Sequence, residues 1–164
     1  MIKLIVAFDL HSGIGYKDTL PWHLPEDLAR FKQLTSGEGK IVVMGSNTFR
    51  SIGKCLPNRA NVILSRGDPK QFPSCALVTN SIEKVLKIAS ENDVWVIGGE
   101  DIYKQFLPFA HELYLTIVHT EVEVDRYLPD IDFASFRLIG VSDNSEIKKE
   151  KGLNCSFLTY RRIS

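Results

Sequence analysis

A carboxylate on an apolar helix stripe is the first feature of this chain that asks for chemistry. In LPWHLPEDLARFK, residues 20–32, Pro25 suits the first helical position, because its fixed φ and missing N–H cost nothing there. At 3.6 residues per turn, Leu24, Leu28, Phe31 and Leu34 share one stripe, and Glu26, Arg30 and Gln33 face away. Asp27 falls inside that stripe. A carboxylate so placed finds hydrogen-bond donors or has its pKa raised. Two readings are open. It complements the unpaired N–H groups and dipole of the first turn, or it is an acceptor aimed at a bound molecule.

Three further stretches run from an apolar strand into small or anion-friendly residues. IVVMGSNT (41–48) leads into Gly45, Ser46, Asn47 and Thr48, where free N–H groups at a helix start could hold a phosphate or simply be capped. VWVIGGEDIY (94–103) sets Gly98 and Gly99 between a strand and a helix. Two residues without Cβ allow close approach of a ligand, although a tight turn would also use one of them. VILSRGDP (62–69) puts Ser65 and Arg66 at a third strand end, where an arginine can pair with the extra phosphate of an NADP-type cofactor or stay solvated. The G-x-G-x-x-G fingerprint is absent. Since open α/β sheets bind ligands at the carboxyl ends of their strands, the three ends together suggest a dinucleotide.

The elements that must position these residues are strands alternating with helices. Apolar, β-rich runs occur at Ile2–Phe8, 40–44, 61–65, 94–97, 113–118 and 156–160, with weaker ones at Ala76–Thr79 and 136–141. Runs such as IVVM and VWVI are apolar throughout, as in strands buried on both faces of a parallel sheet. Helical patterns fall at Pro25–Thr35, 48–52, 81–89 and 100–107, with Ser81 as an N-cap. The expected fold is one α/β domain over residues 1–164. It has a mostly parallel twisted sheet of about eight strands, helices on both faces and an antiparallel C-terminal edge.

Lys plus Arg and Asp plus Glu are 20 each. This balance argues against a nucleic-acid or membrane surface held by bulk charge. Cys55, Cys75 and Cys155 are far apart and odd in number, so neither a disulfide framework nor a zinc site is expected. The four histidines show no metal-ligand spacing, and no metal is expected. The apolar run at the N-terminus is short and followed by Asp9, which reads as a core strand rather than a signal peptide. A cytoplasmic monomer is the expectation.

In order along the chain, LIVAFD (4–9), GIGYKDTLPWHLPEDLARFK (13–32), VVMGSNTFRSIG (42–53), LPNRANVILSR (56–66), VIGGEDIYKQFLP (96–108), LYLT (113–116) and EVEVDRYLP (121–129) resemble dihydrofolate reductases from end to end. The resemblance implies NADPH-dependent reduction of 7,8-dihydrofolate to tetrahydrofolate for one-carbon metabolism, and a site for antifolate inhibitors. It implies that Asp27 accepts hydrogen bonds from the pterin, supported by Thr116, with Trp22 holding a water nearby. Ile5, Ala7, Leu28, Phe31, Ile52 and Ile97 would line the pterin and benzoyl pocket. Leu56 would pack on the benzoyl ring and Arg59 would pair with the substrate's α-carboxylate.

For the cofactor, the same resemblance points to Ala7, Ile14, Gly15, Leu20, Gly45, Ser46, Asn47, Thr48, Leu64, Ser65, Arg66 and Ile97. It adds Gly98, Gly99, Glu100, Asp101 and Ile102, with Tyr103 beside the nicotinamide. It makes 15–20 a closing loop, with Leu20 at the reacting rings and Asp125 bonded to the loop backbone. It also implies a cis Gly98–Gly99 peptide. Ser46 and Asp101 stand where many members carry positive charge, which leaves Arg66 to read the 2′-phosphate. Cys55 replaces a usual proline, which implies a looser loop ahead of Leu56 and Arg59. His23 follows Trp22 at a variable position. A related reductase of another heterocycle, such as a pyrimidine, is the alternative that Asp27 and Arg59 disfavour. A non-catalytic nucleotide module would have no use for Asp27, Trp22, Thr116 and Arg59 together.

Overall fold

Strand order in space differs from strand order in the chain, and that difference builds the site. The computed structural model describes residues 1–15, 22–143 and 154–163. The strands are β1 (Ile2–Phe8), β2 (Gly13–Gly15), β3 (Lys40–Gly45), β4 (Ala60–Leu64), β5 (Ala76–Thr79), β6 (Asp93–Gly98), β7 (Glu112–Val118), β8 (Arg126–Tyr127), β9 (Phe136–Asp143) and β10 (Cys155–Arg162). Helices are α1 (Pro25–Thr35), α2 (Ser46–Ile52), α3 (Ile82–Ala89) and α4 (Glu100–Phe106). The eight-stranded sheet runs β5-β4-β3-β6-β1-β7-β10-β9. Pairing is parallel from β5 through to β7, and β10 is antiparallel to both β7 and β9.

Burial explains the apolar runs. Val42, Val43, Met44, Val94 and Val96 are fully buried, because the sheet has an apolar layer on each face. One layer holds Leu4, Val43, Val96, Phe106 and Leu115, and the other holds Ile5, Val42, Met44, Ile63 and Trp95. A smaller cluster of Trp22, Leu24, Val118, Cys155 and Phe157 sits beside α1. No helix among the described residues is long and apolar enough to cross a membrane.

Local chemistry sets the ends of the helices. Pro25 is the first residue of α1, and the chain turns extended at Ser36. Gly53 ends α2 in the left-handed region at φ 83°, which a Cβ disfavours. The Ser81 side chain accepts from the Lys84 N–H and caps α3. The α2 helix begins two residues before the expected start, at Ser46. The α4 helix ends at Phe106, one residue before its expected end, and runs into a 3-10 turn, Leu107–Phe109, containing Pro108. Both C-terminal strands extend past their expected ends, to Asp143 and Arg162. The pair β2–β8 was not expected, since two- and three-residue strands carry no readable alternation.

The cysteine reading is overturned. Cys55 and Cys75 form a disulfide, with Cα atoms 6.5 Å apart, and Cys155 is buried and outside it. β4 and β5 are parallel neighbours with Asn61 opposite Ala76. The segments entering them therefore lie side by side, although 20 positions separate the cysteines. Spacing along the chain carries no trace of that adjacency. The loop after Cys55 is correspondingly fastened rather than loosened. A cross-link over a loop of this length stabilises by about 3 kcal/mol in the chain-entropy account. We expect Cys75→Ser to lose about that much stability in urea unfolding under oxidising conditions, and wild type in reductant to match it. Equal stabilities in oxidant would refute this.

Candidate active site

The carboxyl ends of β4, β3, β6 and β1 stand side by side in the sheet, and a cleft of about 1480 Å³ opens over them. That exceeds the roughly 300–1,000 Å³ typical of a single small-ligand pocket. One wall is α1 with the end of β1: Ile5, Ala7, Asp27, Leu28 and Phe31. Leu28 is exposed towards the cleft rather than into the core. Ile52, Leu56 and Arg59 also line it.

Asp27 is bonded from the sheet. The Thr116 hydroxyl of β7 donates to its Oδ1 at 2.7 Å. Burial raises the Asp27 pKa, which the Thr116 hydrogen bond and the Arg30 charge partly oppose and Glu26 reinforces. Asp27 does stand in the first turn of α1, where its charge complements the helix dipole, and its carboxylate also lines the cleft.

Arg30 does not face away as the helical count implied. Its guanidinium lies 4.7 Å from the Phe157 ring centre and 5.8 Å from that of Tyr114. A periodic count treats every charged residue as solvated. It cannot see that β7 and β10 offer two ring faces to this one.

Arg59 is held towards the cleft by its own loop. Its Nε donates to the Pro57 carbonyl at 2.8 Å and Nη1 to the Thr35 hydroxyl at 2.9 Å. Asn61 braces that loop: Oδ1 accepts from the Leu56 N–H at 2.8 Å, and Nδ2 donates to the carbonyls of Leu56 and Arg59 at 2.9 and 3.1 Å. Both amide hydrogens are thus used in a buried side chain.

At the other end of the cleft, Gly45, Ser46, Asn47 and Thr48 from the β3–α2 junction meet Gly98, Gly99, Glu100, Asp101, Ile102 and Tyr103 from the β6–α4 junction. The Gly98–Gly99 peptide is cis and Gly98 has φ 125°. A Cβ on Gly98 would lie 3.3 Å from the Tyr103 hydroxyl, and one on Gly45 would lie 3.0 Å from Ile102. Neither α2 nor α4 has a side-chain N-cap. Tyr103 is buried, donates to the Ile5 carbonyl at 2.8 Å and has its pKa pushed up by burial. Leu64, Ser65, Arg66 and Ile97 complete this end, with Ile14 and Gly15 above it. Arg66 is exposed and forms no ion pair among the described residues. The Glu100 carboxylate accepts from the Tyr127 N–H at 3.2 Å.

A family profile described as dihydrofolate reductase matches residues 1–162. The chain belongs to the dihydrofolate reductase family. The dihydrofolate reductase of Bacillus subtilis is 41% identical over 164 residues, covering 99% of this chain and 95% of that one. That of Haemophilus influenzae is 37% identical over 162 residues, covering 98% of each. The solved structure of dihydrofolate reductase from Enterococcus faecalis complexed with NADP(H) and RAB-propyl superposes with a TM-score of 0.91. It is 30% identical and covers 100% of this chain and 97% of that one.

Against the expectations for a dihydrofolate reductase, the structure brings nearly every named residue to one cleft. Trp22 is one exception: it is buried with Leu24, Val118 and Phe157 and does not line the cleft. Thr116 stands behind Asp27 rather than on the surface of the cleft. Leu20 and most of the closing loop fall outside the described residues. Asp125 donates its backbone N–H to the Gly15 carbonyl at 2.9 Å. The sequence reading missed Lys32, Arg50, Asn80, Lys104, Gln105 and Arg126, which also line the cleft. Lone polar residues on loops and helix surfaces give no sequence signal. Asn61 was missed because a single polar residue at the start of the apolar strand β4 carries no signal of its partners.

The raised pKa of Asp27 has a consequence for stability. The unfolded carboxyl ionises first as pH rises, so the folded state becomes less stable as pH climbs through the folded pKa. An Asn at this position has no charge to desolvate. In the ligand-free protein, Asp27→Asn should be the more stable form at pH 7, and its advantage should vanish by about pH 3, below the unfolded pKa near 3.9. Chemical denaturation of both forms at the two pH values checks this; a pH-independent gap would contradict it.

Proposed function

We propose that this protein reduces 7,8-dihydrofolate to 5,6,7,8-tetrahydrofolate with NADPH, by hydride addition at C6 and protonation at N5, for one-carbon metabolism. The observation that carries the reading is Asp27. It is a desolvated carboxylate on an apolar wall, bonded by Thr116 and facing a cleft with room for two molecules. A carboxylate has two acceptor oxygens, which match two adjacent N–H donors of a pterin.

The residues present fit the dinucleotide. The glycine junctions at Gly45 and Gly98–Gly99 leave space that a Cβ would fill, and Thr48, Ser65 and Arg66 supply phosphate partners. NADPH, when bound, supplies the hydride. The chain orders the two rings and excludes water. Ile5, Ala7, Phe31, Ile52 and Ile97 would flank the pterin, Leu56 the benzoyl ring, and Arg59 the α-carboxylate. Asp27 holds the pterin, and its charge makes N5 more basic; a water delivers the proton. The rate then falls as pH rises above the apparent pKa of the Asp27–substrate pair. Trp22 is assigned to the water beside Asp27, and Leu20 to the loop over the reacting rings.

The protein is placed in the cytoplasm as a monomer. In that compartment thiols are kept reduced, and the Leu56–Arg59 loop then rests on Asn61.

Mixing protein, NADPH and dihydrofolate should consume NADPH; no loss above background would sink the reading. Asp27→Asn should lower turnover at neutral pH by about 100- to 10,000-fold and recover part of it in acid. An equal loss at every pH would make the carboxylate structural. Arg66→Ala should weaken NADPH binding by roughly 10- to 100-fold, the worth of one charge-assisted bond, and leave NADH nearly unchanged. Titration of both cofactors checks this, and an unaltered NADPH/NADH ratio would assign the phosphate to another residue.

A further inference from the structure

We infer that Arg30 is a positioning residue that sets the charge balance of Asp27, and through it the pH range in which the enzyme works. The inference rests on the proposed role of Asp27. Three independent placements converge on it. Along α1, Asp27 and Arg30 are i and i+3, neighbours on one helix surface with Cβ atoms about 5–6 Å apart. Across the sheet, Phe157 is the register partner of Thr116, and Thr116 is the residue bonded to Asp27. Along β7, Tyr114 lies two residues before Thr116 and so on the same face. A guanidinium seated over both Phe157 and Tyr114 is therefore seated beside Thr116 and its carboxylate.

The rings matter for the chemistry. A free arginine on a helix surface would spread its charge into water and be screened. The contacts on Phe157 and Tyr114 hold this one, half-buried, over the sheet. Arginine stays protonated at any working pH, so it acts on Asp27 as a fixed charge. The direction agrees: Arg30 opposes the rise that burial imposes on Asp27, and Asp27 in turn favours the charged form of Arg30 against its own burial.

The other groups around the pair are few among the described residues. On α1, Glu26 acts on Asp27 in the opposite sense. From β7, Thr116 donates a neutral hydrogen bond, and the Tyr114 hydroxyl is turned to Glu112, 3.5 Å away. From α4, Tyr103 is buried and bonded to Ile5. From β10, Cys155 is a buried thiol close enough to interact with Arg30. Arg30 is the only cation that acts on Asp27 in this set.

Removing the cation leaves Asp27 easier to protonate and its field at N5 less compensated. Both effects move the pH–rate profile in the alkaline direction. Arg30→Met should raise the midpoint by roughly 0.5–1 pH unit, and so raise the rate above the midpoint about three- to tenfold. Arg30→Lys, which keeps the charge, should stay near wild type. Arg30→Gln keeps a flat polar head without charge and serves where the Met variant does not fold. The second readout needs no turnover: the Asp27 carboxyl is titrated by carbon-13 NMR in the ligand-free protein, with Asp27→Asn identifying its signal. We expect that midpoint to rise in the Met or Gln variant and not in the Lys variant. If the neutral variants lose rate or stability but keep both wild-type midpoints, Arg30 only packs and the inference is overturned. A wild-type chain without NADPH- and dihydrofolate-dependent turnover would sink the activity reading instead, and the ligand-free titration would still decide this one.

Discussion

A carboxylate has to be kept on an apolar wall, and much of the structure around α1 answers that constraint. Burial raises the pKa of Asp27, so a desolvation cost is built into the folded protein before any substrate arrives. Thr116 limits it with one hydrogen bond from the sheet, and Arg30 limits it with a charge pinned on two rings. Neither removes it, and on the proposed role of Asp27 the second carboxylate oxygen is the one that meets the ligand. A site that bound its own acceptor fully would have nothing left to recognise a pterin with.

The parallel sheet converts chain order into that site. β4, β3, β6 and β1 are neighbours although the chain visits them as third, second, fifth and first of the large-sheet strands. Their carboxyl ends supply Leu64, Gly45, Gly98 and Ala7 to one cleft. Gly98 has φ 125° and lies under Tyr103 and Thr48, where a Cβ would meet the tyrosine hydroxyl at 3.3 Å. Close backbone approach at this junction thus depends on the absence of a side chain, and Tyr103 is fixed in turn by its bond to Ile5.

The substrate-side loop is stiff for reasons unrelated to its length. Asn61 spends its whole amide on Leu56 and Arg59. Cys55 ties the same segment to the approach of the edge strand β5. Arg59 is aimed by Thr35 and Pro57. On the proposed role of Arg59, an arginine ordered before binding loses less side-chain entropy when its ligand arrives, and that preorganisation favours affinity.

The α/β class, the main strands, α1 with Pro25 at its start, the Ser81 cap and the residues of the quoted motifs that line the cleft were legible in the sequence. They depend on local rules: apolar runs, helix signals, glycine at strand ends, and motifs whose residues are close along the chain. Asp27 stood out because a charge on an apolar stripe breaks the helical pattern itself. What only the tertiary structure decided involves partners brought from elsewhere. The Cys55–Cys75 bond depends on β4 and β5 being parallel neighbours. The seat of Arg30 depends on ring faces from β7 and β10. The brace made by Asn61 depends on the turn that folds residues 56–59 back over it. The burial of Trp22 beside Phe157, away from the cleft surface, depends on β10 returning antiparallel to β7. None of these leaves a periodicity or a spacing in the chain, because the sheet order that creates them follows from packing the whole core at once.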